Sequence, residues 1–156
     1  MKKILPLALA ILIPVAIGAV SGLFTTEAIG GWYRTIVKPS FNPPNWIFGP
    51  VWTLLYILMG IASWLVWKQG KNKDVKPALT LYAIQLILNF SWSFIFFYLE
   101  QPGWAFAEII VLWVMILLTI FAFSKHSKTA AWLMVPYISW VSFASLLNFS
   151  IWHLNA

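Results

Sequence analysis

The sequence predicts an all-α integral membrane protein: a bundle of five transmembrane helices with a long outer loop between the first and second. Composition is the first reason. Of the 156 residues, 62% are hydrophobic and 9% are charged, whereas an average soluble domain has about 45–50% apolar and ~25% charged residues. Four acidic and ten basic side chains cannot coat a soluble globule of this size. Length is the second. Five apolar runs reach the ~20 residues an α-helix needs to cross hydrocarbon, at about Ile4–Phe24, Trp46–Trp67, Pro77–Tyr98, Trp104–Ser124 and Ala130–Trp152. A soluble enzyme domain, a disordered chain and a nucleic-acid-binding module are therefore poor readings. The lack of cysteine rules out disulfides, thiolate metal sites and a cysteine nucleophile.

Strand-type alternation is absent and each run is too long for a ~10-residue barrel strand, so the spans are helices that satisfy their own backbone in lipid. The first run follows Met1-Lys2-Lys3 and has the outline of a signal peptide. Its length favours a retained helix, and Pro6, Pro14, Gly18 and Gly22 are tolerated in a packed membrane helix. Gly18 and Gly22 also form a weak Gly-xxx-Gly dimerisation signal. Together the spans use almost the whole chain, which is read as a single domain, residues 1–156.

Basic residues orient the bundle. Lys2 and Lys3, the second-to-third connection with Lys68, Lys71, Lys73 and Lys76, and the fourth-to-fifth connection with Lys125 and Lys128 all fall on one side. The opposite side carries Arg34 and Lys38. By the positive-inside rule the N-terminus is expected in the cytoplasm and the C-terminus outside. This accounts for the net charge of +6 without nucleic acid as a partner.

The outer connection, Glu27 to Asn45, is broken by Gly30, Gly31, Pro39, Pro43 and Pro44, yet it carries Trp32, Tyr33, Ile36, Val37 and Phe41. An apolar, proline-stiffened loop is expected to lie on the bundle as a lid rather than act as a flexible linker. Polar residues inside the spans are the functional pointers. Gln85, Asn89 and Trp92 share a face of the third helix; Trp52 and Tyr56 share one on the second; Ser142, Ser145 and Asn148 recur every three residues on the fifth, beside a stripe of Trp140, Ala144 and Leu147. Glu108 is the acidic group inside a span. By depth, Trp52, Tyr56, Asn89, Trp92, Asn148 and Glu108 fall in the outer half of the bundle and Trp140 and Ser142 near the midplane, as the lining of an aromatic pocket for a flat, largely apolar ligand with a few polar groups would. Helix–helix hydrogen bonding explains the same residues, and the residues alone leave both readings open. The two histidines, His126 and His153, lie near opposite faces, so no metal site is expected; a phosphate loop and a carboxylate relay are also missing.

Three stretches are similar to one known family. The first is Trp32-Tyr33 with Lys38-Pro39-Ser40-Phe41-Asn42-Pro43-Pro44-Asn45-Trp46-Ile47-Phe48-Gly49-Pro50-Val51-Trp52, continuing to Tyr56. The second is Gln85-Leu86-Ile87-Leu88-Asn89-Phe90-Ser91-Trp92 with Phe96-Phe97. The third runs from Pro136-Tyr137 through Trp140 and Ala144 to Asn148. Together they resemble the TspO/MBR translocator protein family, also called tryptophan-rich sensory proteins or peripheral benzodiazepine receptors, in a bacterial-type form. The resemblance implies a five-helix bundle, often a homodimer, in the bacterial plasma membrane. It implies binding of protoporphyrin IX or a related tetrapyrrole, and of isoquinoline carboxamide or benzodiazepine ligands, with no cofactor required. It also implies porphyrin or stress sensing and light- and oxygen-dependent porphyrin breakdown; passive transport of porphyrin or another flat hydrophobic molecule is the alternative. Carried over residue by residue, the ligand set is Tyr33, Pro43, Pro44, Trp52, Tyr56, Asn89, Phe90, Trp92, Trp140, Ala144, Leu147 and Asn148. Trp52 and Trp140 are the candidate redox-active pair. Apart from that carry-over, Arg34 and Lys38 are candidates to pair with ligand carboxylates at the mouth, the alternative being that both are merely solvated. The sterol-recognition pattern of animal members is not met, since Phe149 follows Asn148 and no Lys or Arg comes after it.

Overall fold

The computed structural model describes residues 4–71 and 73–156, so Lys2 and Lys3 lie outside the described residues. All regular structure among them is helical. The chain runs α1 (Ile4–Gly30), the short α2 (Trp32–Thr35), α3 (Asn45–Trp67) with a 3-10 turn at Lys68–Lys71, α4 (Lys76–Ser93) continuing as a π-helical turn at Phe94–Tyr98, α5 (Pro102–Ser124), α6 (Lys128–Leu133) and α7 (Val135–Asn155). Five helical stretches are long and apolar enough to cross a membrane: α1, α3, α4, α5, and α6 with α7 together.

Burial is inverted relative to a soluble protein. Gln85, Asn89 and Asn148 are almost fully buried, while Leu5, Leu9, Leu12, Val20 and Leu23 of α1 are exposed. In lipid an apolar exterior is no cost, and the interior is where polar groups find partners. α1 packs on α3, α4 on α5, and α5 on α7. The α1–α3 crossing is close because Gly60 lies against backbone: an added Cβ would stand 2.5 Å from Ala10 O and 2.6 Å from Ile11 Cα. Phe24 anchors α1 to α4 through edge contacts with Phe90 and Phe94 at 5.9 and 5.7 Å.

Element ends differ from the hydropathy reading in three places. α1 continues to Gly30, six residues past Phe24, because Thr25, Thr26 and Glu27 end the apolar run without opposing helix. The irregular part of the connection between α1 and α3 is thereby shortened to residues 36–44. The last span is broken at Met134, between α6 and α7. Pro136 has no N–H to donate to the Trp132 carbonyl and crowds it. Lastly, α4 ends in a π-turn: Leu99 N–H reaches back to Phe94 O at 2.9 Å, Gln101 N–H reaches Ile95 O at 3.1 Å, and Glu100 takes a left-handed backbone with φ 57°. At the lysine-rich end, Lys73 Nζ donates to Lys125 O, tying the α3–α4 and α5–α6 connections together. The α1–α3 connection sits at the other end with the C-terminus, where Val37 meets Asn155.

Candidate functional site

α1, α3, the C-terminal end of α4, and α7 line a cavity of about 490 Å³, with Tyr33 of α2 in its wall. Such a volume lies within the ~300–1,000 Å³ usual for small-molecule pockets. Each helix supplies residues spaced three or four apart, so that one face lines the space: Gly18, Gly22 and Thr25 from α1, Trp52 and Tyr56 from α3, and Trp140, Ala144 and Leu147 from α7. The π-turn alters the spacing at the end of α4 and brings both Phe96 and Phe97 to the wall beside Trp92. Gly18 lies directly against the Tyr56 ring and has no side chain to displace it. No charged residue lines the cavity among the described residues.

Aromatic rings make most of the surface. Trp52 stacks on Tyr56 with centroids 5.6 Å apart, and stands at 90° to Trp140 at 6.5 Å. Trp92 stacks on Phe96 at 5.3 Å. Below the rings runs a polar floor. Tyr56 OH donates to Asn89 Oδ1, Asn89 Nδ2 donates to Tyr137 OH at 2.8 Å, and Tyr137 OH donates to Gln85 Oε1 at 2.6 Å. Beside it, Trp92 Nε1 donates to Asn148 Oδ1 at 2.9 Å, and Asn148 Nδ2 to Pro102 O at 2.8 Å. These groups are already satisfied, so their role is to hold the rings in place. Two buried lining atoms have no hydrogen-bond partner among the described residues: Trp140 Nε1 and Ser21 Oγ.

The lid side is knotted by its own polar groups. Tyr33 is buried, and its OH donates to Asn42 Oδ1 at 2.9 Å. Burial raises the Tyr33 phenol above its ordinary pKa, against a smaller lowering by Asn42, so it stays a neutral donor. Lys38 Nζ donates to Tyr33 O at 2.7 Å and Ile36 O at 3.2 Å, and sits 4.8 Å from the Tyr33 ring centroid. The cavity also reaches the surface between α1 and α3, where lining residues Ala19, Thr26, Gly49 and Thr53 are exposed.

Comparison with known proteins agrees with this architecture. The TspO/MBR family profile matches residues 10–153. The chain belongs to the TspO/MBR family. A tryptophan-rich protein TspO from Chlorobaculum tepidum is 48% identical over 155 residues, covering 99% of this chain and 98% of its own. The TspO of Archaeoglobus fulgidus is 45% identical over 154 residues, with 99% of both chains covered. The human translocator protein is 40% identical over 126 residues, covering 80% of this chain and 75% of its own.

In this TspO/MBR member the residues singled out from sequence separate by their place relative to the cavity. Tyr33, Trp52, Tyr56, Trp92, Trp140, Ala144, Leu147 and Asn148 line the cavity. Asn89 lies beneath it, in the hydrogen-bonded floor. Phe90 is directed away, 5.9 Å from Phe24 in the α1–α4 contact. Pro43 and Pro44 do not line the cavity; Pro44 precedes α3 and starts it, placing Asn45 and Trp46 at the rim. Ser142 accepts from Trp113 Nε1 at 2.8 Å, a helix–helix bond between α5 and α7 away from the cavity. Glu108 also does not line the cavity. Nor does Arg34 or Lys38, whose ammonium is held by lid carbonyls. Tyr137, Ser21 and the α1 wall went unnoticed in the sequence. Tyr137 stands in the third matching stretch, but its role comes from partners 48 and 52 residues away.

Proposed function

We propose that this membrane protein is a receptor for a flat, metal-free tetrapyrrole of the protoporphyrin IX type. One observation carries the reading: a neutral cavity of about 490 Å³ walled by the faces and edges of Trp52, Trp92, Phe96 and Trp140. Large aromatic planes suit stacking against a macrocycle. Trp140 Nε1 is buried in the wall without a hydrogen-bond partner among the described residues, and a turn of its ring would let it donate to a polar group on the ligand. Among the described residues, no His, Met, Cys or Lys lines the cavity, so none of the usual nitrogen or sulfur ligands for haem iron is present. Tyr33 and Tyr56 keep their phenol protons in hydrogen bonds to Asn42 and Asn89. Ligand carboxylates then belong at the aqueous mouth rather than inside. The C. tepidum and A. fulgidus relatives are named tryptophan-rich proteins and the mammalian ones translocator proteins, which suits a ligand-handling role. The clustering of Lys68, Lys71, Lys73, Lys76, Lys125 and Lys128 at one end supports a cytoplasmic N-terminus.

Titration of the detergent-solubilised protein with protoporphyrin IX, followed in the Soret band, tests this. A saturable shift is expected, and Trp140→Phe should weaken it by about 10-fold, as loss of one buried hydrogen bond would. A shift that does not saturate, or one indifferent to Trp140→Phe, rejects the reading.

The Trp52–Trp140 pair favours a second reading, light- and oxygen-dependent breakdown of the bound porphyrin. An indole gives an electron to the excited macrocycle, which passes it to dioxygen as superoxide; the indole radical recovers an electron from the macrocycle, and superoxide adds to the resulting ring radical, so that the net step is addition of O2 to the ring with both indoles restored. Illumination of the complex in air should yield a discrete product, and Trp52→Phe with Trp140→Phe should suppress it. An unchanged yield in the double variant removes this reading and leaves binding intact.

A further inference from the structure

The lid is fastened to the far end of the chain. Asn155, the last residue of α7, lays its side-chain amide along the backbone of Val37. Val37 N–H donates to Asn155 Oδ1 at 2.9 Å, and Asn155 Nδ2 donates back to Val37 O at 2.8 Å. This is the reciprocal pair that two residues exchange across an antiparallel ladder, made here by one side chain between positions 118 residues apart. Asn155 Nδ2 also reaches Ile151 O at 2.7 Å, which holds the amide in that orientation on α7. Within the lid, the Tyr33–Asn42 bond and the Lys38 ties to Tyr33 and Ile36 make residues 33–42 a single knot. A further contact from this knot to α7 is the Phe41 ring on Phe143 at 6.2 Å. α7 supplies Ala144, Leu147 and Asn148 to the cavity wall, and the knot supplies Tyr33.

We propose that Asn155 is a latch, a positioning residue that holds the lid and its Tyr33 closed over the cavity. Ligand exchange then waits on the opening of its two hydrogen bonds to Val37. The kinetic half of this inference rests on the tetrapyrrole reading above; the structural half does not.

The test uses the full chain in lipid nanodiscs. In ligand-free protein, Asn155→Ala should speed hydrogen–deuterium exchange across residues 36–42, while His153→Ala, an exposed neighbour outside the latch, should not. Asn155→Asp keeps the acceptor for Val37 N–H and loses the donor to Val37 O, so it should fall between. Stopped-flow quenching of tryptophan fluorescence by protoporphyrin IX supplies the second arm. Two exposed hydrogen bonds predict association and dissociation rates that both rise on the order of 10-fold in Asn155→Ala, with a much smaller change in Kd. A purely structural contact would not raise both rates together. Unchanged exchange at 36–42 overturns the latch outright. Faster exchange with unchanged ligand rates also overturns it, and assigns ligand passage to the α1–α3 cleft. If the wild type binds no protoporphyrin IX saturably, the tetrapyrrole reading fails, and the exchange arm still decides whether Asn155 holds the lid.

Discussion

Asn89 shows what single residues do here. Its Oδ1 accepts a hydrogen bond from Tyr56 OH and its Nδ2 donates to Tyr137 OH, so one amide joins α3, α4 and α7 beneath the cavity. Asn89→Leu strands the buried Tyr56 hydroxyl, and an unsatisfied buried polar group costs about 1–3 kcal/mol. A thermal melt in detergent should show that loss, with weakened ligand binding as the Tyr56–Trp52 stack loosens; an unchanged melting temperature refutes it. The i, i+4 spacing of Gln85 and Asn89 made the polar face legible in the sequence. The same spacing did not reveal that these groups are satisfied by Tyr137, because spacing describes one helix face and says nothing of what stands opposite. Trp113 and Trp140 make the point again. Both are deep indoles in sequence, yet Trp113 Nε1 is bonded to Ser142 and Trp140 Nε1 has no partner among the described residues.

Elements follow from local chemistry, with departures wherever a boundary depends on more than hydropathy. The five spans were readable because their length and apolarity are summed over some twenty residues, which single exceptions do not disturb. Their ends were less so. Hydropathy reports the hydrocarbon boundary, and α1 continues helical beyond it to Gly30. Pro136 marks the α6–α7 break visibly, whereas the π-turn at Phe94–Tyr98 has no proline or glycine to announce it. Glycine at position 60 has a packing reason rather than a conformational one. Gly60→Val would drive a side chain into the backbone of Ala10 and Ile11, which cannot swing aside. Overpacking of this kind typically costs about 1–3 kcal/mol, and chemical denaturation of the detergent-solubilised protein should show α1 separating from α3 more readily. A stability equal to wild type would mean that the α1–α3 crossing adjusts freely.

At the scale of the whole molecule the cavity is a shape that no single helix contains. α1 and α3 touch closely at Gly60 and at Gly18, and part towards the C-terminal end of α1, where a Cβ added to Gly22 or Gly49 would meet nothing within 4 Å. Gly22→Leu should therefore fold with stability within about 0.5 kcal/mol of wild type. It should nevertheless fill the cavity and weaken protoporphyrin IX binding about 10-fold. Paired melting and Soret titrations check both halves, and tight binding in this variant would place the ligand elsewhere. By itself the sequence determined the membrane, the five spans, the grouping of lysines at one end, and the family, because these are properties of composition, run length and motif. Tertiary structure alone decided which indoles face a cavity and which serve as glue. It also decided that Phe90, Pro43, Pro44 and Glu108 stand outside the cavity, and that Asn155 bonds to the backbone of Val37. The physical reason is that a cavity and a hydrogen-bond partner are set by how helices cross, through contacts between residues tens of positions apart, whereas the sequence pattern records only which face each helix turns inward.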